Sequence, residues 1–143
     1  MENYMKLEFP SKSENESFAR AAAGAFATQL DISIEELADI KTAVSEAVTN
    51  AIVHGYRGIR GTVEMTCKIK GHTIEIVVCD KGHGIEDIAL AMQPLYSGSE
   101  DEERSGMGFT VMQSFMDTLN VESRLGEGTI VTMTKMVGAL FND

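Results

Sequence analysis

Three polar side chains recur at four-residue intervals in the first half of the chain: Glu46, Asn50 and His54. On a helix, positions i, i+4 and i+8 stack along one line of the surface. A carboxylate can act as a general base, and an amide oxygen one turn later is a hard ligand that suits Mg²⁺. Taken singly, each residue is more typical of an ordinary polar helix boundary. His54, near the predicted helix end, is interpreted as a supporting polar contact.

A strand-and-glycine motif follows, with Asp80, Gly82 and Gly84 in an Asp-x-Gly-x-Gly pattern. The Asp80 carboxylate is an acceptor, so it could bind the exocyclic amino group of adenine and reject guanine, which offers a carbonyl there. Gly82 and Gly84 would let the backbone approach the base closely. Thr129, after a third glycine pair, could support the adenine contact. A purely structural glycine turn and a β-forming threonine are the alternative interpretations.

The glycine pair between these motifs opens a predicted helix with Ser105, Gly106, Met107 and Gly108. Free N–H groups and the positive end of the helix dipole favour phosphate at such a place. Arg104 could pair with the γ-phosphate, although an exposed surface arginine is the alternative. Each motif is weak alone. In this order, within 143 residues, they predict an ATP site built without a P-loop.

Glu46, Asn50 and His54 can stack only if the first half of the chain forms a helix there. Residues 5–9 form a predicted strand, stopped by Pro10. Ser13 with Glu16, and Ser33 with Glu36, have the spacing of capping boxes. They predict a first helix that runs to Leu30 and a second that ends at Gly55. The second helix has an apolar stripe formed by Leu37, Ile40, Val44, Ala47, Val48 and Ala51.

The second half is predicted to be mainly strands. Residues 62–70 alternate strictly between apolar and polar, and residues 73–79 return after a turn at Gly71 and His72. Residues 86–105 are predicted to form a mobile loop with one short helix. A helix over 108–117, with one face formed by Phe109, Met112 and Met116, precedes a hairpin of 120–124 with 129–136. The expected fold is α+β, a two-layer sandwich with helices on one face of a mostly antiparallel sheet.

Composition limits the class of protein. The formal net charge of −10, without a basic stripe, argues against nucleic acid as a partner. With 43% apolar residues and no linker-like segment, residues 1–143 are predicted to form a single domain. No signal-peptide core or membrane-length apolar run is visible, so a cytoplasmic protein without a membrane contact is expected. Cys67 and Cys79 lie in predicted strands, and are interpreted as packing residues rather than ligands or a disulfide.

These motifs resemble the GHKL superfamily, whose ATP-binding Bergerat fold is shared by gyrase, heat-shock protein 90, MutL and histidine kinases. Residues 15–20, 40–56 and 103–109 more closely resemble the anti-sigma F factor family of endospore-forming bacteria. The similarity extends from Met5 to about Met136, and it is loose at residues 58–70 and 96–102.

The resemblance implies a sporulation serine protein kinase that also regulates transcription by holding sigma factor F in an ATP-dependent complex. Such proteins form homodimers and phosphorylate a serine of an anti-anti-sigma antagonist. By position, the resemblance makes Glu46 the general base and Asn50 the Mg²⁺ ligand, and it places Arg20 on the partner surface. It assigns the adenine contacts to Asp80, Gly82, Gly84 and Thr129, and closure on the phosphates to Arg104, Gly106 and Gly108.

Three other functions stay open at this point. The related general-stress anti-sigma serine kinases have the same chemistry and different partners. A non-catalytic module would use ATP only to shape a sigma-binding surface, which the presence of Glu46 argues against weakly. The catalytic domain of a histidine kinase is disfavoured, because the three histidines do not lie on a predicted dimerisation helix pair.

Overall fold

A computed structural model describes residues 2–92 and 108–138. In chain order, its elements are β1 (Glu2–Pro10), α1 (Glu14–Ala27), α2 (Ile34–Thr49), a π-helical turn (Asn50–Gly55), β2 (Thr62–Lys70), β3 (Thr73–Asp80), α3 (Ile88–Ala91), α4 (Phe109–Phe115), β4 (Thr118–Arg124) and β5 (Gly128–Met136). The expected α+β class is confirmed.

The five strands form one sheet in the order β1-β2-β3-β5-β4, and all four pairings are antiparallel. Strand β2 has the predicted bounds and the predicted two faces. Its apolar side chains are almost completely buried, namely Val63, Met65, Cys67 and Ile69. Since side chains alternate across a strand, one face of β2 packs into the core and the other face is polar.

The core lies between this apolar face and the helices. Helix α2 contributes Ile40, Val44 and Val48, and the middle strand β3 contributes Ile74 and Ile76, all fully buried. Every residue of the predicted stripe on α2 is buried, except Leu37, which is partly buried against the same cluster. Helix α2 is therefore packed against the centre of the sheet, and its polar boundary lies at the edge of the core.

The two predicted capping boxes have different outcomes. At Ser33 the box is present: Glu36 N–H donates to Ser33 Oγ and Ser33 N–H donates to Glu36 Oε1, each at 3.0 Å. At Ser13 the prediction was wrong. That residue is already helical, with φ −59° and ψ −29°, and its side chain makes no cap bond. An N-cap serine needs an extended backbone to turn its oxygen toward the helix start.

Some element ends also differ from the predictions. Helix α1 ends at Ala27 rather than Leu30, where Thr28 Oγ1 donates to the carbonyl of Ala25 and Gln29 Nε2 to that of Phe26. The backbone tightens at the same place, because the N–H groups of Gln29 and Leu30 donate to the carbonyls three residues earlier, at 3.2 and 3.0 Å. Strand β1 includes Pro10, which was expected to stop it. Because β1 is at the edge of the sheet, a residue without an N–H is tolerated there.

The cysteines are free thiols, as expected. Burial raises the pKa of the Cys67 thiol to about 12. The predicted short helix in the loop is α3; residues 93–105 of that loop lie outside the described residues. Within residues 2–92 and 108–138, no helix is long and apolar enough to cross a membrane.

Candidate functional site

The helix that carries Glu46, Asn50 and His54 changes type along its length. Regular α-helix ends at Thr49, and Asn50–Gly55 forms a π-helical turn, whose last N–H group, that of Tyr56, donates to Ala51 O at 3.2 Å. Such turns insert one extra residue into a helix and are frequent at functional sites. Asn50 is only 8% exposed. The sequence pattern predicted one continuous helix over this stretch and did not predict the π-helical turn.

Asp80, the last residue of β3, has a buried carboxylate, with the whole residue 6% exposed. Gly82 N–H donates to Asp80 Oδ1 at 2.9 Å. Burial raises the pKa of Asp80, although backbone N–H groups of Gly82 and Thr129 partly oppose the shift. A methyl group on Gly55 would lie 2.8 Å from this carboxylate, so the π-helical turn packs directly against Asp80.

The loop after Asp80 is fixed on both sides. His83 N–H donates to Gly55 O at 2.7 Å, and Gly126 N–H donates to His83 O at 2.8 Å. Tyr56 adds a third connection, because its hydroxyl accepts from Lys81 N–H at 2.9 Å and donates to Thr62 O at 2.6 Å. The loop is therefore held between the π-helical turn and the β4–β5 hairpin.

Thr129 faces the same region from β5, where it pairs with Asp80 across the sheet. It is 8% exposed, and its hydroxyl lies 2.8 Å from Ser123 Oγ. Ser123 Oγ also accepts from Ile85 N–H at 2.7 Å. The end of β3, the following loop and the hairpin thus share one hydrogen-bonded network.

These elements line a partly open cavity with about 360 Å³ of empty space, a volume that includes open solvent. Of the predicted site residues, Asn50, His54, Asp80, Gly84 and Thr129 all contribute to its wall. Apolar side chains complete the lining, namely Ala47, Ala51, Val78, Ile85, Phe109 and Val131.

The remaining described candidates lie close to the cavity without lining it. Gly82 contributes its N–H to Asp80, and a side chain on it would collide with Gly55 O. Gly108, with φ +69°, caps α4, and a side chain there would collide with the Glu46 carboxylate. Glu46 therefore faces the start of α4 rather than the cavity. The predicted residues Arg104, Ser105, Gly106 and Met107 lie outside the described residues.

A second depression, between α1 and α2, has Arg20 and Glu46 among its lining residues, together with Lys41 and Ser45. Arg20 also approaches Glu16, with 3.5 Å between Arg20 Nε and Glu16 Oε2. We call this depression the α1–α2 groove. It connects the predicted partner residue to the predicted base along one surface.

Three residues that organise the site were not predicted from the sequence. Gly55 was interpreted only as a helix end, and Tyr56 and Ser123 were not singled out. Nothing in the local pattern marks them, because their importance comes from contacts between residues far apart in the chain, such as that of Tyr56 with Lys81.

Chemically, the cavity is an apolar slot with acceptors at one end. A ligand amino group that reached this end could donate to the Asp80 carboxylate. Among the described residues there is no cluster of three or more His, Cys, Asp or Glu side chains that could hold a metal by themselves.

The model of the family described as histidine kinase-like ATPase domain matches residues 9–135 of the chain. Curated relatives match over almost the full length. An anti-sigma F factor of Thermoanaerobacter sp. (strain X514) is 61% identical over 137 residues, which are 96% of each chain. The chain belongs to the anti-sigma F factor family. Another member, from Clostridium kluyveri (strain NBRC 12016), is 55% identical over 139 residues, 97% of this chain and 98% of the relative.

Solved structures support the fold. The RsbU and RsbW domains of a Mycobacterium tuberculosis protein align with a TM-score of 0.68 at 18% identity, over 94% of this chain and 32% of theirs. The catalytic domain of the histidine kinase ThkA aligns with a TM-score of 0.57 at 14% identity, over 93% of this chain and 96% of that one. The expected sandwich of the Bergerat type is confirmed.

Proposed function

We propose that this chain is an anti-sigma factor and an ATP-dependent protein serine kinase, formed by a single domain over residues 1–143. The observation that carries the proposal is the convergence of Asn50, Asp80 and Thr129 on one cavity, in a chain related to anti-sigma F factors over nearly its full length. The nucleotide would be ATP. Its adenine amino group would donate to Asp80, and Gly84 and His54 would contact the nucleotide from the cavity wall.

Mg²⁺ would be held by the Asn50 side-chain oxygen together with phosphate oxygens of ATP. This donor set fits Mg²⁺, which is often bound by one or two protein ligands plus substrate phosphates. The ion would neutralise charge on the phosphates. In the same proposal, Arg104, Ser105, Gly106, Met107 and Gly108 would bind the phosphates, with Gly108 at the start of α4.

Glu46 would be the general base. In the transfer step, the acceptor serine oxygen bonds to the γ-phosphorus while the bond from that phosphorus to the β–γ bridging oxygen breaks. The serine proton passes to Glu46, and ADP leaves. The α1–α2 groove supports this role, because it would let a protein surface contact Arg20 and bring its serine to Glu46.

The proposed partners are sigma factor F, held in the ATP-bound complex, and an anti-anti-sigma protein that provides the acceptor serine. We also propose that the protein acts in the cytoplasm as a homodimer. The names of the curated relatives support sigma factor F as a partner. No direct contact with nucleic acid is proposed.

The deciding experiment incubates the protein with γ-labelled ATP, Mg²⁺ and the candidate antagonist. We expect label on one antagonist serine. Glu46→Ala should reduce transfer by a factor on the order of 10²–10⁴, because general base catalysis is lost. ATP affinity, measured by calorimetry, should remain nearly unchanged, since Glu46 does not line the cavity.

Glu35→Ala is the matched control, because Glu35 is an exposed glutamate at the start of the same helix. It should retain both transfer and binding. Equal loss of ATP binding and transfer in Glu46→Ala would contradict the base assignment. Tight ATP binding without any label on the antagonist would contradict the kinase proposal and leave a non-catalytic sequestering module.

A further inference from the structure

Ser123, in β4, has three polar neighbours within hydrogen-bond distance of one oxygen. The N–H group of Ile85 lies 2.7 Å from Ser123 Oγ, the carbonyl oxygen of Gly128 lies at 2.9 Å, and Thr129 Oγ1 lies at 2.8 Å. Ile85 and Thr129 line the cavity, whereas Ser123 contacts both of them without lining it.

The direction of each bond follows from counting protons. An amide N–H can only donate and a carbonyl oxygen can only accept, whereas a hydroxyl has one proton and two lone pairs. Ser123 therefore accepts from Ile85 and gives its proton to Gly128. Its second lone pair remains for Thr129. All three neighbours are satisfied only if Thr129 donates its own proton to Ser123.

This arrangement determines what Thr129 offers to the cavity. With its proton committed to Ser123, Thr129 Oγ1 has only lone pairs left for a ligand. The Asp80 carboxylate, its partner across the β3–β5 ladder, is also an acceptor. A ligand amino group at this wall can donate, whereas a carbonyl group there would face acceptors and lose its hydrogen bonds.

We propose that Ser123 is a positioning residue for nucleotide specificity: by fixing the Thr129 proton away from the cavity, it makes the site select a purine with an exocyclic amino group over one with a carbonyl at the same place. The proposal rests on the ATP site proposed above. It assigns to Ser123 an effect that is exerted entirely through Thr129.

The test compares the dissociation constants of ATP and inosine triphosphate, measured by calorimetry with Mg²⁺ on the full chain. Inosine triphosphate has a carbonyl where ATP has the amino group. Wild type should prefer ATP. In Ser123→Ala the Thr129 hydroxyl can rotate and donate to the carbonyl, so the preference should fall by about tenfold, the typical value of one hydrogen bond.

Two variants separate this role from general support of the fold. Ser123→Thr keeps a hydroxyl and should restore most of the preference. Thr129→Val removes the hydroxyl on which Ser123 acts, so adding Ser123→Ala to Thr129→Val should leave the ATP-to-inosine ratio unchanged. Ser114→Ala is the matched control, since the Ser114 hydroxyl donates to Thr110 O on an exposed helix surface.

The outcomes are distinct. If wild type binds neither nucleotide, the proposed ATP site is wrong and this inference is wrong with it. If wild type prefers ATP and Ser123→Ala keeps the same ratio, or weakens both nucleotides equally, only the inference is wrong. Should Ser123→Ala fail to fold, Ser123→Cys supports the same comparison, because a thiol fills the space with only weak hydrogen bonds.

Discussion

Asp80 is the proposed acceptor for adenine, and its carboxyl group is buried in surroundings that disfavour the charged form. Its pKa is raised by burial, so folding favours the protonated form of this carboxyl group. The contribution of Asp80 to the free energy of unfolding is therefore complete below its unfolded pKa of about 3.9 and is lost as the pH rises through the higher folded pKa. At neutral pH the carboxylate is kept at a cost to stability, which is common at ligand sites.

Asp80→Asn should separate the role of Asp80 in ATP binding from its effect on the free energy of unfolding. The asparagine oxygen can still accept from Gly82 N–H, but its amide group adds a donor where adenine must donate. We expect ATP affinity to fall by about 10–100-fold, as for a buried hydrogen bond to a charged group. The melting temperature without nucleotide should rise at pH 7.5, and the difference from wild type should shrink toward pH 4.

Calorimetry with ATP and thermal melts at the two pH values measure this prediction. Unchanged ATP affinity would contradict the adenine contact. A variant that melts below wild type at neutral pH would contradict the argument from burial.

Gly108 packs closely against Glu46, the predicted general base. Its φ is +69°, and an added methyl group would collide with the Glu46 carboxylate. Gly108→Ala should therefore displace Glu46 and reduce phosphoryl transfer at least tenfold, beyond the backbone cost of roughly 1 kcal/mol for a left-handed alanine. Gly71→Ala is the control, because Gly71 has φ +60° and nothing within 4 Å of the added carbon.

Urea unfolding measures the backbone cost in both glycine variants, and the labelled-ATP assay measures transfer. Equal activity in the two variants would show that Gly108 is needed only for its backbone conformation.

At the scale of elements, the two helix starts provide a matched pair of serines. Ser33→Ala removes a formed capping box at the start of α2, so the free energy of unfolding should fall by about 1 kcal/mol. Ser13→Ala removes a hydroxyl without a cap bond and should change it by less than about 0.5 kcal/mol. Urea denaturation of both variants measures the difference. Equal losses would contradict the assignment of the caps.

Elements defined by local periodicity were predictable. The alternation in residues 62–70 gave β2 its bounds and faces, since burial on one side of a sheet requires a period of two. The π-helical turn was not predictable, because Asn50–Gly55 has the composition of an ordinary helix. Its packing against Asp80, and the bond from His83 N–H to Gly55 O, are long-range interactions that override a local preference.

In the site too, local patterns were predictable from the sequence and long-range contacts were not. The order of the motifs predicted that Asn50, Asp80 and Thr129 are brought together, and they share one cavity. Their roles in binding and catalysis remain predictions. The position of Glu46 outside the cavity lining was not predictable, because it depends on a long-range approach between its carboxylate and Gly108 at the start of α4.

At the scale of the molecule, nucleotide should stabilise the whole fold, because its cavity joins α2, the π-helical turn, β3, α4 and β5. A ligand at 100 times its dissociation constant adds about 2.7 kcal/mol to the free energy of unfolding. We expect MgATP to raise the melting temperature of wild type and Glu46→Ala alike. At the same ATP concentration Asp80→Asn should gain less. An equal gain in all three proteins would contradict the assigned cavity.

Strand β5 lies between β3 and β4 in the sheet, although residues 81–127 separate it from β3 along the chain. During translation, Asn50 and Asp80 therefore leave the ribosome long before Thr129. The nascent chain can pair β1, β2 and β3, but the edge of β3 stays open until β5 arrives. Closure of such a distant pair is slow compared with local hairpins. A newly made molecule should thus be unable to retain nucleotide, or to act on a partner, until its sheet is complete.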